Sequence, residues 1–205
     1  MATLEYRDSV QVIFRDGSYR WLDAAHFHIE AADSDPRHVL GALLRHDQYI
    51  DHYTTLNDVA STPEVKADLD RQRSAFRARV ARDQPAIRKA LENRPPSPAR
   101  PPLHGPYYLD RISPDSFDLL DGAGGLGDVM DWLRACDPPV PPTGQLQGDL
   151  PALLQTVETS DVVYRLRDLG ASAVHDYGNV VQPYIELVAI DSQRVNAWLI
   201  AGGTD

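Results

Sequence analysis

The 205-residue sequence predicts an α+β protein in three regions. Residues 1–94 are expected to form a β-hairpin followed by a helical pair, residues 95–149 a connecting region rich in proline and glycine, and residues 150–205 a C-terminal module. Three observations support this: strand-like alternation near the N-terminus, two helical segments headed by proline, and clustered prolines in the middle.

The N-terminal hairpin is predicted from strand formers on both sides of a turn signal. Val10 to Phe14 is rich in β-branched and aromatic residues, and Asp16-Gly17 is typical of a two-residue turn. On the return strand, apolar Phe27 and Ile29 alternate with polar neighbours. This period of two predicts a half-buried strand with one polar face.

Two helices are expected next, because each has a residue that caps a helix just before a proline. Asp35-Pro36 begins the first, and Thr62-Pro63 begins a longer one. Residues 94–106 contain so many prolines that neither a helix nor a central strand is expected there. Between this segment and a second proline cluster, two short helices are predicted, at residues 116–120 and 129–135, joined by a flexible glycine turn at residues 122–127.

The last sixty residues predict the order helix, strand, strand, helix. One helical stretch begins at Leu150-Pro151, and another runs from Ser160 to Gly170, a good C-terminal stop. Two strands are expected over residues 173–177 and 180–190, on either side of a Gly-Asn turn. A final amphipathic helix is expected to begin at Ser192.

Charge and hydropathy bound the function classes. The net charge is −10, and residues 95–205 hold 15 acidic against 6 basic residues, which disfavours a nucleic acid partner for that half. The apolar runs are too short for a membrane span and the N-terminus lacks a signal peptide pattern, so no membrane partner and a cytoplasmic location are predicted. Arginine outnumbers lysine 18 to 2, which indicates a GC-rich bacterial source.

A histidine and carboxylate cluster in the N-terminal half is the candidate metal site. Two histidines two residues apart on a strand point the same way, so both could bind one metal ion if a nearby helix supplied another ligand. His46 and His52 are six apart, so only one of them could easily join. The candidate ligands are His26, His28, Glu30 and His46.

Three other patterns do not form a complete catalytic or cofactor site. Gly122 to Gly127 fits G-x-G-x-x-G but lacks a convincing preceding strand and the later acidic residue. Cys136 has no activating motif beside it. The arginines between Arg71 and Arg88 are expected to form a solvated helix face, with nucleic acid binding as the alternative. No catalytic residue and no cofactor is therefore predicted.

The C-terminal stretch Tyr164 to Leu199 resembles the propeptide and inhibitor module of subtilisin-like proteases, through Leu169-Gly170-Ala171, Tyr177-Gly-Asn-Val180 and the hydrophobic pattern that follows. The resemblance implies a ferredoxin-like module that packs against a protease and lays its C-terminal tail in the substrate cleft. The tail residues it implies as partner-binding are Ala201, Gly202, Gly203, Thr204 and Asp205.

The leading hypothesis is therefore a non-enzymatic interaction or regulatory protein that binds or inhibits a subtilisin-like protease supplied as a separate chain. A metal-dependent enzyme that uses the histidine cluster is the first alternative. A nucleic-acid-binding accessory protein that acts through the arginine helix is the second.

Overall fold

The structure is a computed structural model of the full chain, and it describes residues 2–14, 20–30, 35–50, 102–135, 149–175, 178, 181, 183–193 and 195–204. These residues belong to one compact unit formed by the segments Met1–Leu56 and Pro102–Asp205. This unit is a mixed α+β structure with a mostly antiparallel sheet, which confirms the predicted class.

Eight strands and four α-helices are found among the described residues. The strands are β1 (Leu4–Ile13), β2 (Arg20–Ile29), β3 (Leu103–His104), β4 (Tyr107–Tyr108), β5 (Phe117–Leu120), β6 (Val162–Leu166), β7 (Ile185–Asp191) and β8 (Asn196–Thr204). The helices are α1 (Pro36–Leu43), α2 (Asp47–Ile50), α3 (Gly122–Ala135) and α4 (Leu150–Thr159). Two short 3₁₀ turns, at Leu109–Arg111 and Pro114–Ser116, lie between β4 and β5.

Six strands form one sheet in the order β1-β2-β8-β7-β6-β5, and β3 pairs with β4 in a separate ribbon. Successive side chains of a strand point to opposite faces, so each strand of the large sheet contributes to two cores. One face packs against α1, α2 and the β3–β4 ribbon. The other packs against α3 and α4. We call these the α1 face and the α4 face.

The N-terminal elements match their predictions. Strands β1 and β2 pair as an antiparallel hairpin with a register irregularity between Tyr6 and Asp8. Helix α1 begins at Pro36, and the Asp35 side chain accepts a hydrogen bond from the Arg37 amide at 2.8 Å. An oxygen at this position satisfies a backbone donor that the first turn of a helix leaves unpaired, which explains why the helix begins here.

The C-terminal order is helix, strand, strand, strand, so the expected ferredoxin-like helix–strand–strand–helix order is wrong. The predicted helix over residues 160–170 is strand β6, and the predicted final helix is strand β8. Val162 and Val163 favour strand geometry, and the apolar residues of β8 are buried on both faces of a central strand. The described part of segment 173–177 holds a turn and one bridge, at Val174.

The middle of the chain is also more ordered than expected. The predicted short helix at 116–120 is replaced by strand β5, and the predicted glycine turn at 122–127 forms the first turns of α3. A side chain at Gly122 would overlap the Glu158 carbonyl, and one at Gly125 would lie 2.8 Å from a Val163 methyl carbon. These two glycines therefore allow α3 to pack closely on its neighbours.

The large sheet takes strands from all three predicted regions, since β2 pairs with β8 and β5 pairs with β6. The boundary expected at residue 94/95 lies outside the described residues, as does most of the predicted proline-rich spacer. Its described end, Leu103 to Pro106, is not a solvated spacer, because His104 is completely buried there. Among the described helices, none has the length and apolar character that crossing a membrane requires.

Candidate functional site

The structure does not bring the four candidate metal ligands together. His26 and His28 lie on the α4 face of β2, where the His26 ring stacks on Trp198 with centroids 4.2 Å apart. His46 lies on the opposite side of the sheet, with its ring edge-on to Phe27 at 5.1 Å. Within the described ranges, no three His, Cys, Asp or Glu side chains are grouped so that they could hold a metal ion.

The predicted partner-binding tail is part of the sheet. Ala201 to Thr204 belong to β8, which is hydrogen-bonded to β2 on one side and to β7 on the other. A central strand has no free backbone edge, so insertion of this segment into a protease cleft would require β8 to leave the sheet. The structure therefore places four of the five predicted tail residues in a central strand and not in a free tail, and Asp205 lies outside the described residues.

Several other candidates also fall on residues that the structure does not describe. These are His52, Cys136 and the arginine-rich segment from Arg71 to Arg88. The G-x-G-x-x-G stretch does follow a strand and begin a helix. However, the carboxylate of Asp121 accepts a hydrogen bond from the Gly124 amide at 2.7 Å. An acidic group therefore occupies the place where a phosphate would bind, and it would repel one.

An open cleft of about 380 Å³ lies on the α4 face, where the C-terminal half of α4 meets the turn between β7 and β8. Helix α4 and the residue after it contribute one wall, and the ends of the two strands contribute the other. The cleft is lined by Ala152, Gln155, Thr156, Thr159, Ser160, Asp191, Asn196 and Trp198.

The hydroxyl groups of this cleft are arranged as hydrogen-bond acceptors. Thr156 donates to the Ala152 carbonyl at 3.0 Å and Thr159 to the Gln155 carbonyl at 2.9 Å. Ser160 donates to the Thr156 carbonyl at 2.8 Å. Each hydroxyl has a single proton, which is already donated, so its lone pairs are what it offers to a ligand.

On the strand side of the cleft, the lining residues contact His26, one of the histidines that the sequence suggested as metal ligands. The His26 Nε2 atom lies 3.2 Å from Asn196 Oδ1, and its Nδ1 atom lies 3.6 Å from an Asp8 carboxylate oxygen. His26 also stacks on Trp198, its cross-strand partner. His26 therefore positions two residues of the cleft from the neighbouring strand.

The turn that carries Asp191 and Asn196 contains an unusual backbone conformation. Val195 has φ of 52°, in the left-handed region that β-branched residues rarely adopt. Its carbonyl accepts a hydrogen bond from the Ile29 amide at 2.7 Å. This bond to β2 helps to hold the turn in place beside the cleft.

No family model matches this chain, and no curated protein or solved structure matches it either. Its function is therefore inferred from the geometry of its own residues.

A second polar cluster lies on the α1 face, and three of its four side chains are buried. Tyr49 and His104 are 0% exposed and Glu186 is 1% exposed. The Glu186 carboxylate lies 2.8 Å from His104 Nε2 and accepts hydrogen bonds from the hydroxyls of Tyr49 at 2.8 Å and Tyr184 at 2.7 Å. We call these four residues the Glu186 cluster.

The hydrogen bonds of the Glu186 cluster indicate its charge state. His104 Nδ1 faces the Tyr49 carbonyl at 3.0 Å, and Nε2 faces the Glu186 carboxylate. A ring with acceptors at both nitrogens donates from both, as imidazolium does. Burial alone would raise the pKa of Glu186, but the His104 charge and the hydrogen bonds from His104, Tyr184 and Tyr49 outweigh it and hold that pKa below its usual value.

Asp23 lies near the Glu186 cluster on the same face. It pairs with Ala201 from one side of β8, and Glu186 pairs with Ala201 from the other, so the two backbones are about 10 Å apart. Its side chain has a hydrogen bond with Gln11, but within the described part of the chain its Oδ1 atom has no partner. Burial raises the pKa of Asp23 to about 7, although the Gln11 bond opposes the shift.

Sequence reasoning missed both the cleft and the Glu186 cluster. The cluster had one visible signal, because Glu186 interrupts the apolar run from Tyr184 to Ile190. A charged residue inside a buried strand needs a buried partner. Its partner His104 was assigned to the proline-rich spacer, so nothing in the local pattern joined the two.

Proposed function

We propose that this chain is a non-enzymatic binding protein of the cytoplasm, and that it recognises a protein partner through the cleft between α4 and the β7–β8 turn. The observation that carries the proposal is a set of three hydroxyl residues that line the cleft, Thr156, Thr159 and Ser160, whose hydroxyl protons are all donated to helix carbonyls.

The exposure of its side chains distinguishes this cleft from the Glu186 cluster. Gln155 and Thr159 are exposed, and Thr156, Asn196 and Trp198 are partly so. A partner can therefore reach them without any rearrangement of the sheet. The cleft combines one aromatic side chain, Trp198, with six polar residues that can give a partner its orientation.

A subtilisin-like protease is the partner class that the sequence resemblance favours. Because β8 is a central strand, the proposal does not use the C-terminal residues as an inserted tail. Protease binding would instead use the cleft, with the folded sheet intact. An inhibition assay with a subtilisin-like protease tests this choice of partner separately from the cleft itself.

Site-specific photo-crosslinking tests the proposal directly. A benzophenone amino acid at position 152 would lie on the wall of the cleft, whereas the same residue at position 158 would lie on the same helix but outside the cleft. Both native side chains are exposed, so neither replacement should disturb the core. We expect irradiation in the native host to join the position-152 protein to a discrete protein partner.

Position 158 is the matched control, and it should give much less of that product. The proposal is wrong if the two positions yield the same products, or if position 152 yields none while the protein remains folded by circular dichroism.

A further inference from the structure

We infer that the cleft binds a cationic side chain of the partner, the guanidinium group of an arginine. This inference rests on the proposed function. Such a group is made only of hydrogen-bond donors and carries a full positive charge. Both properties are what the walls of the cleft complement.

The three hydroxyls of the cleft favour a ligand that donates hydrogen bonds. Thr156, Thr159 and Ser160 each present lone pairs after donating their proton to a helix carbonyl. A carboxylate or phosphate ligand also presents only acceptors, so it would find no donor on these three groups. Guanidinium has five N–H donors in a planar fork and no acceptor, which suits several acceptors at different positions.

The electrostatics favour a cation as well. Asp191, an acidic residue, lines the cleft at the end of β7. Asp161 lies on the same side of α4, where its carboxylate accepts a hydrogen bond from the Ser192 amide at 2.9 Å. The net charge of the chain is −10, and most of that excess lies in residues 95–205, which supply every residue that lines the cleft. This field attracts a basic group and repels an acidic one.

Size and aromatic character fit a side chain better than a larger ligand. The volume of about 380 Å³ lies near the lower end of the range of roughly 300–1,000 Å³ for small-molecule pockets. Trp198 supplies an aromatic wall, and guanidinium groups pack well on aromatic rings. The stem of an arginine would cover apolar surface while its head reaches the acceptors.

The experiment uses the full-length protein and two probes of nearly identical shape. Nα-acetyl-arginine amide carries the cation, and Nα-acetyl-citrulline amide replaces guanidinium by a neutral urea group. Amide resonances of the ¹⁵N-labelled protein are followed while each probe is added. We expect saturable shifts confined to residues 152–160 and 191–198 with the arginine probe, and about tenfold weaker binding of the citrulline probe, the usual scale for loss of a partly exposed charged contact.

Asp191→Asn should weaken binding of the arginine probe about fivefold, whereas Asp110→Asn, an exposed substitution with the same charge change far along the chain, should leave it within about twofold. Gln155→Lys is a second test that does not depend on Asp191. It places an ammonium group in the cleft, so it should compete with the probe and weaken its binding.

Equal binding of the two probes would overturn the inference. Equal losses in Asp191→Asn and Asp110→Asn would also overturn it, because the effect would then be one of net charge. If the arginine probe leaves the cleft resonances unmoved while position 152 still crosslinks to a partner, the cationic ligand is wrong and the proposed function stands. Absence of the position-152 crosslink is the separate result that would contradict the proposed function.

Discussion

The two faces of the sheet carry polar clusters that are built in opposite ways. On the α1 face, the Glu186 carboxylate is surrounded by three donors and is shielded from water. On the α4 face, the cleft is lined by an exposed Thr159, a half-buried Thr156 and a buried Ser160, whose hydroxyls have donated their protons and keep lone pairs. The Glu186 cluster uses its hydrogen bonds within the protein, whereas the cleft hydroxyls keep acceptor lone pairs that a ligand could use.

This difference separates stability from recognition. A buried, hydrogen-bonded ion pair is expensive to break, because removing one member leaves the other without a partner or water. An exposed hydroxyl costs little to remove, because water can replace its contacts. The Glu186 cluster should therefore act on folding, and the cleft should act on binding.

Glu186→Ala should have the largest effect on the free energy of unfolding. It leaves the His104 ring and two tyrosine hydroxyls without their buried acceptor, and breaking a buried pair costs roughly 3–5 kcal/mol. Urea unfolding followed by circular dichroism measures the loss. The exposed control Glu158→Ala should change the free energy of unfolding by less than about 0.5 kcal/mol.

Equal stabilities of these two variants would contradict the structural role of the cluster. The pH dependence gives a second check on the same residue. Because the pKa of Glu186 is lower in the folded state, its stabilising contribution is present at neutral pH and is lost as pH falls through that folded value. Glu186→Ala should not show this acid-dependent loss.

Asp23→Asn should have the next largest effect on the free energy of unfolding. The pH dependence that Asp23 gives the wild type has the opposite sign to that of Glu186. The pKa of Asp23 is about 7 when folded, against an ordinary value of 3.8, so between these values the folded state holds a proton that the unfolded state has lost. The stability of the wild type therefore falls as pH rises across this window. A difference of about three pKa units corresponds to roughly 4 kcal/mol at most.

The measurement is urea unfolding of both proteins at pH 4 and pH 8. The free energy of unfolding of Asp23→Asn minus that of the wild type should be higher at pH 8 than at pH 4, by roughly 2–4 kcal/mol. Asp118→Asn, an exposed aspartate on β5, is the control that should show no such change. If the wild type and Asp23→Asn had the same pH dependence, that result would contradict the burial of this carboxylate.

Local sequence signals predicted the N-terminal elements correctly. They failed where tertiary contacts determine whether a segment forms a helix or a strand. The hairpin and α1 were predictable because turn residues, alternation and the Asp35 cap act over a few residues. Strand β8 was mistaken for a helix because a central strand is apolar on both faces and loses its period of two. Strand β6 was mistaken for a different reason, because its position beside β7 depends on residues far along the chain.

The sites were less predictable than the fold. His26 does lie on a polar strand face, where it stacks on the Trp198 ring, and among the described residues it is not grouped with two other potential metal ligands. The cleft joins α4 to a turn more than thirty residues later, so no spacing rule could have shown it. His104 and Glu186 are 82 residues apart in the sequence and meet only because the chain folds β3 over β7.

The most direct test of the central claim is the affinity of the crosslinked partner for a protein with a filled cleft. Ala152→Trp should occupy the cleft from its helical wall, and Glu158→Trp adds the same indole outside it. Calorimetric titration should show at least about tenfold weaker binding for Ala152→Trp and unchanged binding for Glu158→Trp, with both unfolding free energies within about 0.5 kcal/mol of the wild type. Wild-type affinity for the partner in Ala152→Trp would contradict recognition through the cleft.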